Sequence, residues 1–359
     1  MSFERFWKMS ARATDSKFQD EISQQPRLLG RIVAEKSEAV GRIAAALRAL
    51  QPRFILIAAR GTSDNAARYA KYLFGGFTRI PVALAAPSLY TLYGQPPDMR
   101  GGLVIGISQS GQSPDVIAVL EAARRQRVPA LAITNAKDSP LASLADHAIL
   151  LDAGKEESVA ASKTYTAQLA VIALLAAHWA ADPAMIADLA GLRDLAAAVL
   201  EQDAEVRSIA QRYVKHDRLV VLGRGYNYCT AQEIALKIKE LSYMNTQAYS
   251  SADFRHGPIA LLEAGYPTVL VAPRGKTLQD MRALAGEVSQ AGADLAVITN
   301  EAGQLPLAAS LIRLPAALPE WLSPVVAVIP GQLLALHLAE GKGVDVDHPR
   351  RLHKVTHTF

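Results

Sequence analysis

The chain has 359 residues, enough for two domains of ordinary size, with half of them hydrophobic and a fifth charged, the balance of a packed α/β protein rather than a disordered one. Its net charge is only +4 and no block of like charges occurs, so it carries no electrostatic footprint for nucleic acid; a small anionic substrate fits better. The one cysteine, Cys229, excludes an intrachain disulfide and a cysteine-based metal cluster, and its apolar surroundings make it a core residue.

The first residues, MSFERFWKMSARATDSK, are charged throughout and offer no apolar stretch of signal-peptide length, so a cytoplasmic protein is expected. Residues 1–50 read as an N-terminal helical segment. From Phe54 the chain runs FILIAARGTSDNAARYAKYL: an apolar strand, a Gly turn and an amphipathic helix. LVIGIS, ALAIT and AILLD follow as further strands, alternating with helical stretches. The apolar run Tyr165–Ala181 is too short and too polar for a membrane span, and Trp321–Leu338 is interrupted by Pro324 and Pro330; both read as buried helices. Leu189–Tyr213, rich in Ala and Leu, reads as one helix joining two halves.

From Arg218 the chain repeats itself: RLVVLGRGYNYCTAQEIALKIKEL has the same strand, Arg-Gly turn and helix. The later VPALAITNA and ADLAVITNE match through Asn135 and Asn300, and the spacings from Gly61 and Gly225 differ by a single residue. TVLVAP, LAVIT and SLIRL complete the strands of the second half. Strand–helix alternation predicts an α/β fold of two tandem repeats, each a parallel sheet flanked by helices. The expected domains are 51–190 and 191–340, with 341–359 as a C-terminal tail. Ligands of such sheets sit beyond the carboxyl ends of the strands, here the loops after Ala59, Ile107, Leu222 and Ala272.

The copies differ where chemistry is expected. After LVIGIS comes SQSGQS, in which Ser108, Ser110 and Ser113 supply hydroxyls, Gly111 allows close backbone approach, and a helix from Asp115 adds free N–H groups. Such a loop can hold a phosphate monoester without a metal; the plainer alternative is a Ser-rich turn with a helix cap. The second half has PRGKT instead. Thr62 and Ser63 can face the same crevice. Glu233, Lys237 and Glu240 form a polar stripe on the helix Ala231–Tyr243, by default a solvated salt-bridge row. His256 lies in RHGP and Lys354 in a basic tail, DHPRRLHK, features that are commonly structural or superficial.

In this order the motifs resemble the sugar isomerase (SIS) family, specifically the isomerase half of glucosamine-6-phosphate synthase and its stand-alone deaminase relatives. The resemblance runs through FQDEISQQP, RGTS, SQSG, VAASKTYT, GRG, ALKIKELS, HGP and DVDHPRRLHK, nearly the whole chain. It implies that Ser108, Gln109, Ser110 and Ser113 bind phosphate, with Ser63 nearby. It implies that Glu240 moves a proton between C1 and C2, that His256 opens the sugar ring, that Lys354 activates the carbonyl, and that Glu233 and Lys237 support them. These roles suit an aldose–ketose shift, which needs a base in reach of both carbons, an acid–base for the ring oxygen and a cation for oxyanion charge; neither metal nor cofactor is expected. Family members pair as dimers with a shared site, so His256 is expected to act across a subunit interface.

RGTSDNA resembles the deaminase branch, while Gln112 and Ser113 stand where the synthase often has Glu and Thr. The synthase's glutaminase domain opens with a nucleophilic cysteine after the initiator Met; here Ser2 follows Met1 and the first repeat is expected from residue 51. The expected activity is therefore glucosamine-6-phosphate deamination to fructose 6-phosphate and ammonia. The alternatives are another phosphorylated amino sugar, an ammonia-dependent aminotransferase, or a non-catalytic sugar-phosphate sensor.

Overall fold

The computed structural model describes residues 16–301, 303, 310–352 and 354. Two five-stranded sheets form, every pairing in them parallel. The first contains β1 (Ile55–Ala58), β2 (Val82–Leu84), β3 (Leu103–Ile107), β4 (Ala130–Thr134) and β5 (His147–Leu150), in the order β2-β1-β3-β4-β5. The second contains β6 (Arg218–Gly223), β7 (Asn245–Ser250), β8 (Pro267–Val271), β9 (Asp294–Thr299) and β10 (Ser310–Arg313), in the order β7-β6-β8-β9-β10. Both orders are the same once each half is numbered from its own first strand, so the internal repeat is a repeat of topology. In each sheet the order reverses beside the first strand, between β1 and β3 and between β6 and β8. The registers there set Ala58 opposite Gly106 and Leu222 opposite Leu270.

Strand alternation divides the core. Ile57, Ile105 and Ile133 point to one face of the first sheet, and Val221, Val269 and Ile298 to one face of the second; all six belong to a single continuous core. That core is filled by the helices Gln25–Ala49, Thr62–Thr78, Lys163–Ala180, Tyr228–Ser242 and Ser323–Gly341. The opposite faces carry separate, smaller cores under the helices Pro114–Arg125 and Leu278–Gln290. The two repeats thus share their central helical layer. Cys229 lies within it, and burial pushes its thiol up to about 12, too high for a useful nucleophile.

The two long apolar runs are buried helices, as their composition suggests. Glu320–Gly341 is long and apolar enough to cross a membrane by length and composition, yet its apolar window is entirely inside the protein. Two expectations need correction. Leu189–Tyr213 is not one helix but parts of several, with Leu192–Leu200 and Asp203–Tyr213 separated at Glu201 and Gln202. Edge strands β2 and β7 were not expected. β2 has only three residues, and β7 reads NTQAYS, too polar for the apolar signal of a buried parallel strand.

Candidate active site

A cavity of about 400 Å³ opens at the β1/β3 switch point, a size suited to a small metabolite. Thr62, Ser108, Gln109, Ser110, Ser113, Lys237, Glu240 and Lys354 all line it. One wall is the turn after β3. Gly111 there has φ +63°, and a Cβ on it would lie 2.2 Å from the Ser139 hydroxyl, so only glycine lets this turn close on its neighbour. Ser108 Oγ accepts from the Gly111 N–H at 3.1 Å and Ser110 Oγ from the Gln112 N–H at 3.3 Å. Each hydroxyl can still donate into the cavity. Ser113 occupies the N-cap of the Pro114–Arg125 helix but makes no side-chain cap bond, so its hydroxyl is not spent on the turn. Arg60 adds a cation, oriented by a 2.7 Å bond from its Nε to Asp115.

The facing wall is the helix Tyr228–Ser242. Its Glu–Lys stripe is not a solvated face: Glu233 is fully buried and Lys237 nearly so. Lys237 Nζ donates to Glu240 at 2.5 Å and stands 3.5 Å from Glu233. Burial alone would lower the Lys237 ammonium, but the Glu240 and Glu233 carboxylates outweigh it and hold its pKa above the ordinary value. Glu233 is raised by burial, an effect partly offset by Lys237, Asn65 and Thr62. Asn65 donates to it at 2.7 Å and Thr62 at 3.1 Å. Glu233 therefore sits behind the cavity and ties the first helix of one repeat to the first helix of the other. Ser63 is also set back, accepting from Gln168 Nε2 at 3.0 Å.

The third wall comes from the segment before the first repeat's last helix and from the C-terminal tail. Glu156, Val159, Ala160 and Ala161 line the cavity opposite the serines. Glu156 is completely buried at the N-terminus of the Lys163–Ala180 helix, where Oε1 accepts from the Ser162 and Thr164 N–H groups at 2.9 and 3.0 Å. Its Oε2 accepts from Thr164 Oγ1 at 2.7 Å and from Lys354 Nζ at 3.0 Å; Lys354 also donates to the Ser158 carbonyl at 2.5 Å. Glu156 and Arg60 were not singled out from the sequence. Glu156 stands between Lys155 and Glu157, where a charge run resembles a solvated loop, and only the fold brings it to the tail lysine.

His256 does not line this cavity. It is exposed at the end of the short helix Ser251–Arg255. No group of His, Cys, Asp and Glu suited to holding a metal occurs among the described residues.

Three serine hydroxyls at a switch point, a buried Lys–Glu pair and a tail lysine thus line one cavity. The SIS domain model matches residues 50–178 and 212–339, and the chain belongs to that family. It is 35% identical over 340 residues, 93% of its length, to the glutamine–fructose-6-phosphate aminotransferase (isomerizing) of Pyrococcus horikoshii, covering 56% of that protein. The chain spans about half the length of the curated relatives it matches. The C-terminal domain of glucosamine-fructose-6-phosphate aminotransferase from Francisella tularensis superposes with a TM-score of 0.84 at 29% identity, covering 94% of this chain and 99% of that one. Glucosamine-6-phosphate deaminase of Thermotoga maritima shares the fold at a TM-score of 0.74 and 23% identity, covering 96% and 100%.

Proposed function

We propose that the chain is a cytoplasmic, metal-independent amino-sugar-phosphate deaminase that converts glucosamine 6-phosphate and water to fructose 6-phosphate and ammonia. The observation that carries this reading is the cavity in which Ser108, Ser110 and Ser113 face Lys237, Glu240 and Lys354. The serines, Gln109, Thr62 and the N-terminus of the Pro114–Arg125 helix would hold the phosphate, leaving the other end of an open-chain hexosamine at Glu240. Glu240 would take the proton from C2 and return it to C1. The aldehyde carbon becomes a CH2OH group and C2 a ketimine, which water hydrolyses with release of ammonia. Lys354 would stabilise the oxyanion charge that develops at C1. Lys237 fixes the Glu240 carboxylate from below, and Glu233 fixes Lys237.

Ring opening is assigned to His256 of a second copy, in a homodimer with shared sites; the exposure of His256 and its place off the cavity of its own chain support that arrangement. A second reading is favoured by one finding, the 35% identity to an isomerizing aminotransferase over nearly the whole chain. In that reading the same site runs towards the amino sugar when ammonia is supplied.

The test is a coupled assay for ammonia and fructose 6-phosphate from glucosamine 6-phosphate, with chelator present and no nucleotide or glutamine, paired with the reverse assay from fructose 6-phosphate and ammonium. Both products in the forward direction are expected. Fructose 6-phosphate without ammonia would refute deamination, and turnover in the reverse assay alone would favour synthesis. No turnover of any amino-sugar phosphate would leave a binding role. Mixing inactive His256→Ala with inactive Glu240→Gln protein should restore partial activity; no recovery after verified subunit exchange would place His256 in its own chain's site.

A further inference from the structure

Described residues from both ends of the chain, outside the matched repeats, meet at the cavity's third wall. The helix Lys17–Ser23 receives the tail at its N-terminus, where the Asp347 carboxylate accepts from the Lys17 and Phe18 N–H groups at 3.0 and 3.3 Å. These donors have no partner within the helix, so Asp347 supplies a cap from the far end of the chain. One turn further on, the same helix buries Glu21, only 3% exposed. Glu21 Oε1 accepts from the Glu157 N–H, its Oε2 is buried without a hydrogen-bond partner, and Lys163 Nζ lies 3.9 Å away. Lys163 in turn donates to Gln24 at 2.9 Å.

We propose that Glu21 is a positioning residue of the active site: by holding the Glu157 backbone it sets the wall segment and the adjoining Glu156, and through Glu156 the place of the Lys354 ammonium. The chain of contact is unbroken. Glu21 bonds the residue next to Glu156, and Glu156 bonds Lys354. A buried carboxyl beside another carboxylate is costly unless its location is used. Glu21 is pushed up to about 7 by burial and by Glu156, against the Glu157 N–H, Lys163 and Lys354. The surrounding charges of this cluster are thus two carboxyls and two lysines, and a displaced Glu21 disturbs all of them at once. No contact in this path is made to Ser108, Ser110 or Ser113, so the affinity for phosphate should change far less than turnover.

The inference rests on the proposed role of Lys354 in turnover, and the experiment separates the two. Glu21→Met fills the volume but accepts no strong hydrogen bond, while Glu21→Gln keeps an acceptor for the Glu157 N–H. In Glu21→Met, kcat for the amino-sugar phosphate should fall at least about tenfold, the order expected when a reacting group is shifted by a fraction of an ångström to an ångström. The affinity for inorganic phosphate, measured by calorimetry, should stay within about twofold. Glu21→Gln should recover most of kcat. Unchanged kcat in folded Glu21→Met, or kcat and phosphate affinity falling together, would overturn the proposal; should the Met variant not fold, Glu21→Ala takes its place. Hydrogen exchange reads the same contact without turnover: amides over 157–161 and 345–352 should exchange faster in Glu21→Met than in wild type or Glu21→Gln. If wild type turns over no substrate but this difference appears, the positioning stands and the catalytic reading falls. No difference in exchange would remove Glu21 from the site.

Discussion

The two repeats place the same loop before the same helix at the same switch point, yet different groups lie against that loop. In the first, the Ser108–Ser113 turn leads into the Pro114–Arg125 helix and faces Ala160. In the second, the matching turn leads into Leu278–Gln290, and the Glu320 carboxylate closes on that turn. Lys276 N–H donates to it at 2.9 Å, Thr277 N–H at 3.2 Å and Thr277 Oγ1 at 3.3 Å. Gly275, the counterpart of Gly111, has φ +155°, and a Cβ on it would stand 2.1 Å from Glu320 Cδ. Ala160 and Glu320 each precede the start of the last helix of their repeat, at Lys163 and Ser323, by three residues. A helix N-terminus attracts negative charge in either half; in the second half a carboxylate of the chain itself supplies it.

The largest expected effect tests the cavity as a catalytic site. Glu240→Gln keeps shape and hydrogen bonding but cannot accept a proton at neutral pH. Steady-state assays should find kcat lower by about 10²–10⁴, with the circular dichroism spectrum unchanged. Full activity would reduce the Lys237–Glu240 pair to a structural ion pair.

Ser110→Ala and Ser113→Ala should each raise KM for the sugar phosphate roughly tenfold or more, since a hydrogen bond to a charged group contributes about 1.5–3 kcal/mol. Thr277→Ala, the counterpart of Ser113 in the second half, should leave KM alone and register in denaturant melts instead. Equal KM effects in both halves would mean that the crevices are not functionally distinct.

Exchanging Ala160 and Glu320 sharpens the contrast. Ala160→Glu should supply the first crevice with its own anion and weaken binding of inorganic phosphate in calorimetry by at least about tenfold. Glu320→Ala strips the second helix N-terminus of its partner and should cost about 1–3 kcal/mol of stability without altering KM. A stable Glu320→Ala protein would show that water replaces the carboxylate at little loss.

The smallest effect concerns two histidines near the ends of the equivalent central helices. His178, with Ser37 Oγ 2.9 Å from its Nε2, is lowered by burial. Burial acts on His337 in the same direction, but Asp203 at 2.6 Å and Glu340 at 3.1 Å overcome it, so its pKa is raised. A raised histidine stabilises fully below its unfolded pKa of about 6.5, and that contribution fades as pH climbs through the folded value. A lowered one has the opposite slope, with stability lost as pH falls below about 6.5. His337→Gln should therefore cost more at pH 6 than at pH 9 in thermal melts, and His178→Gln should gain at the acid end. Identical pH slopes for both variants would contradict the two environments.

Much of this arrangement could be read from residue patterns. The strands of each sheet interior are continuous apolar runs, and the SQSGQS turn declares itself by its glycine and its hydroxyls. Edge strands β2 and β7 could not be read, because β7 is polar and β2 is too short for any period to emerge. Glu233, Lys237 and Glu240 have the spacing of a solvated stripe, and it is the first repeat, through Thr62 and Asn65 bonded to Glu233, that covers it. Glu156 and Glu21 are single acids far apart in sequence, and their meaning arises from a tertiary meeting that no local window contains. His256 carries a role by resemblance alone, since its own chain leaves it outside the cavity.

The shared central layer has a consequence for how the molecule could be cut or copied. The inner faces of both sheets rest on the same helices, so neither repeat owns a complete interior. A nick between Leu200 and Asp203, where the joining helices break, would leave two fragments that each display an unfinished apolar face. Expressed apart, such fragments should associate or aggregate; expressed together, they should reassemble through that face and restore the wall contact between Glu233 and Asn65. Each half is the rest of the other's interior.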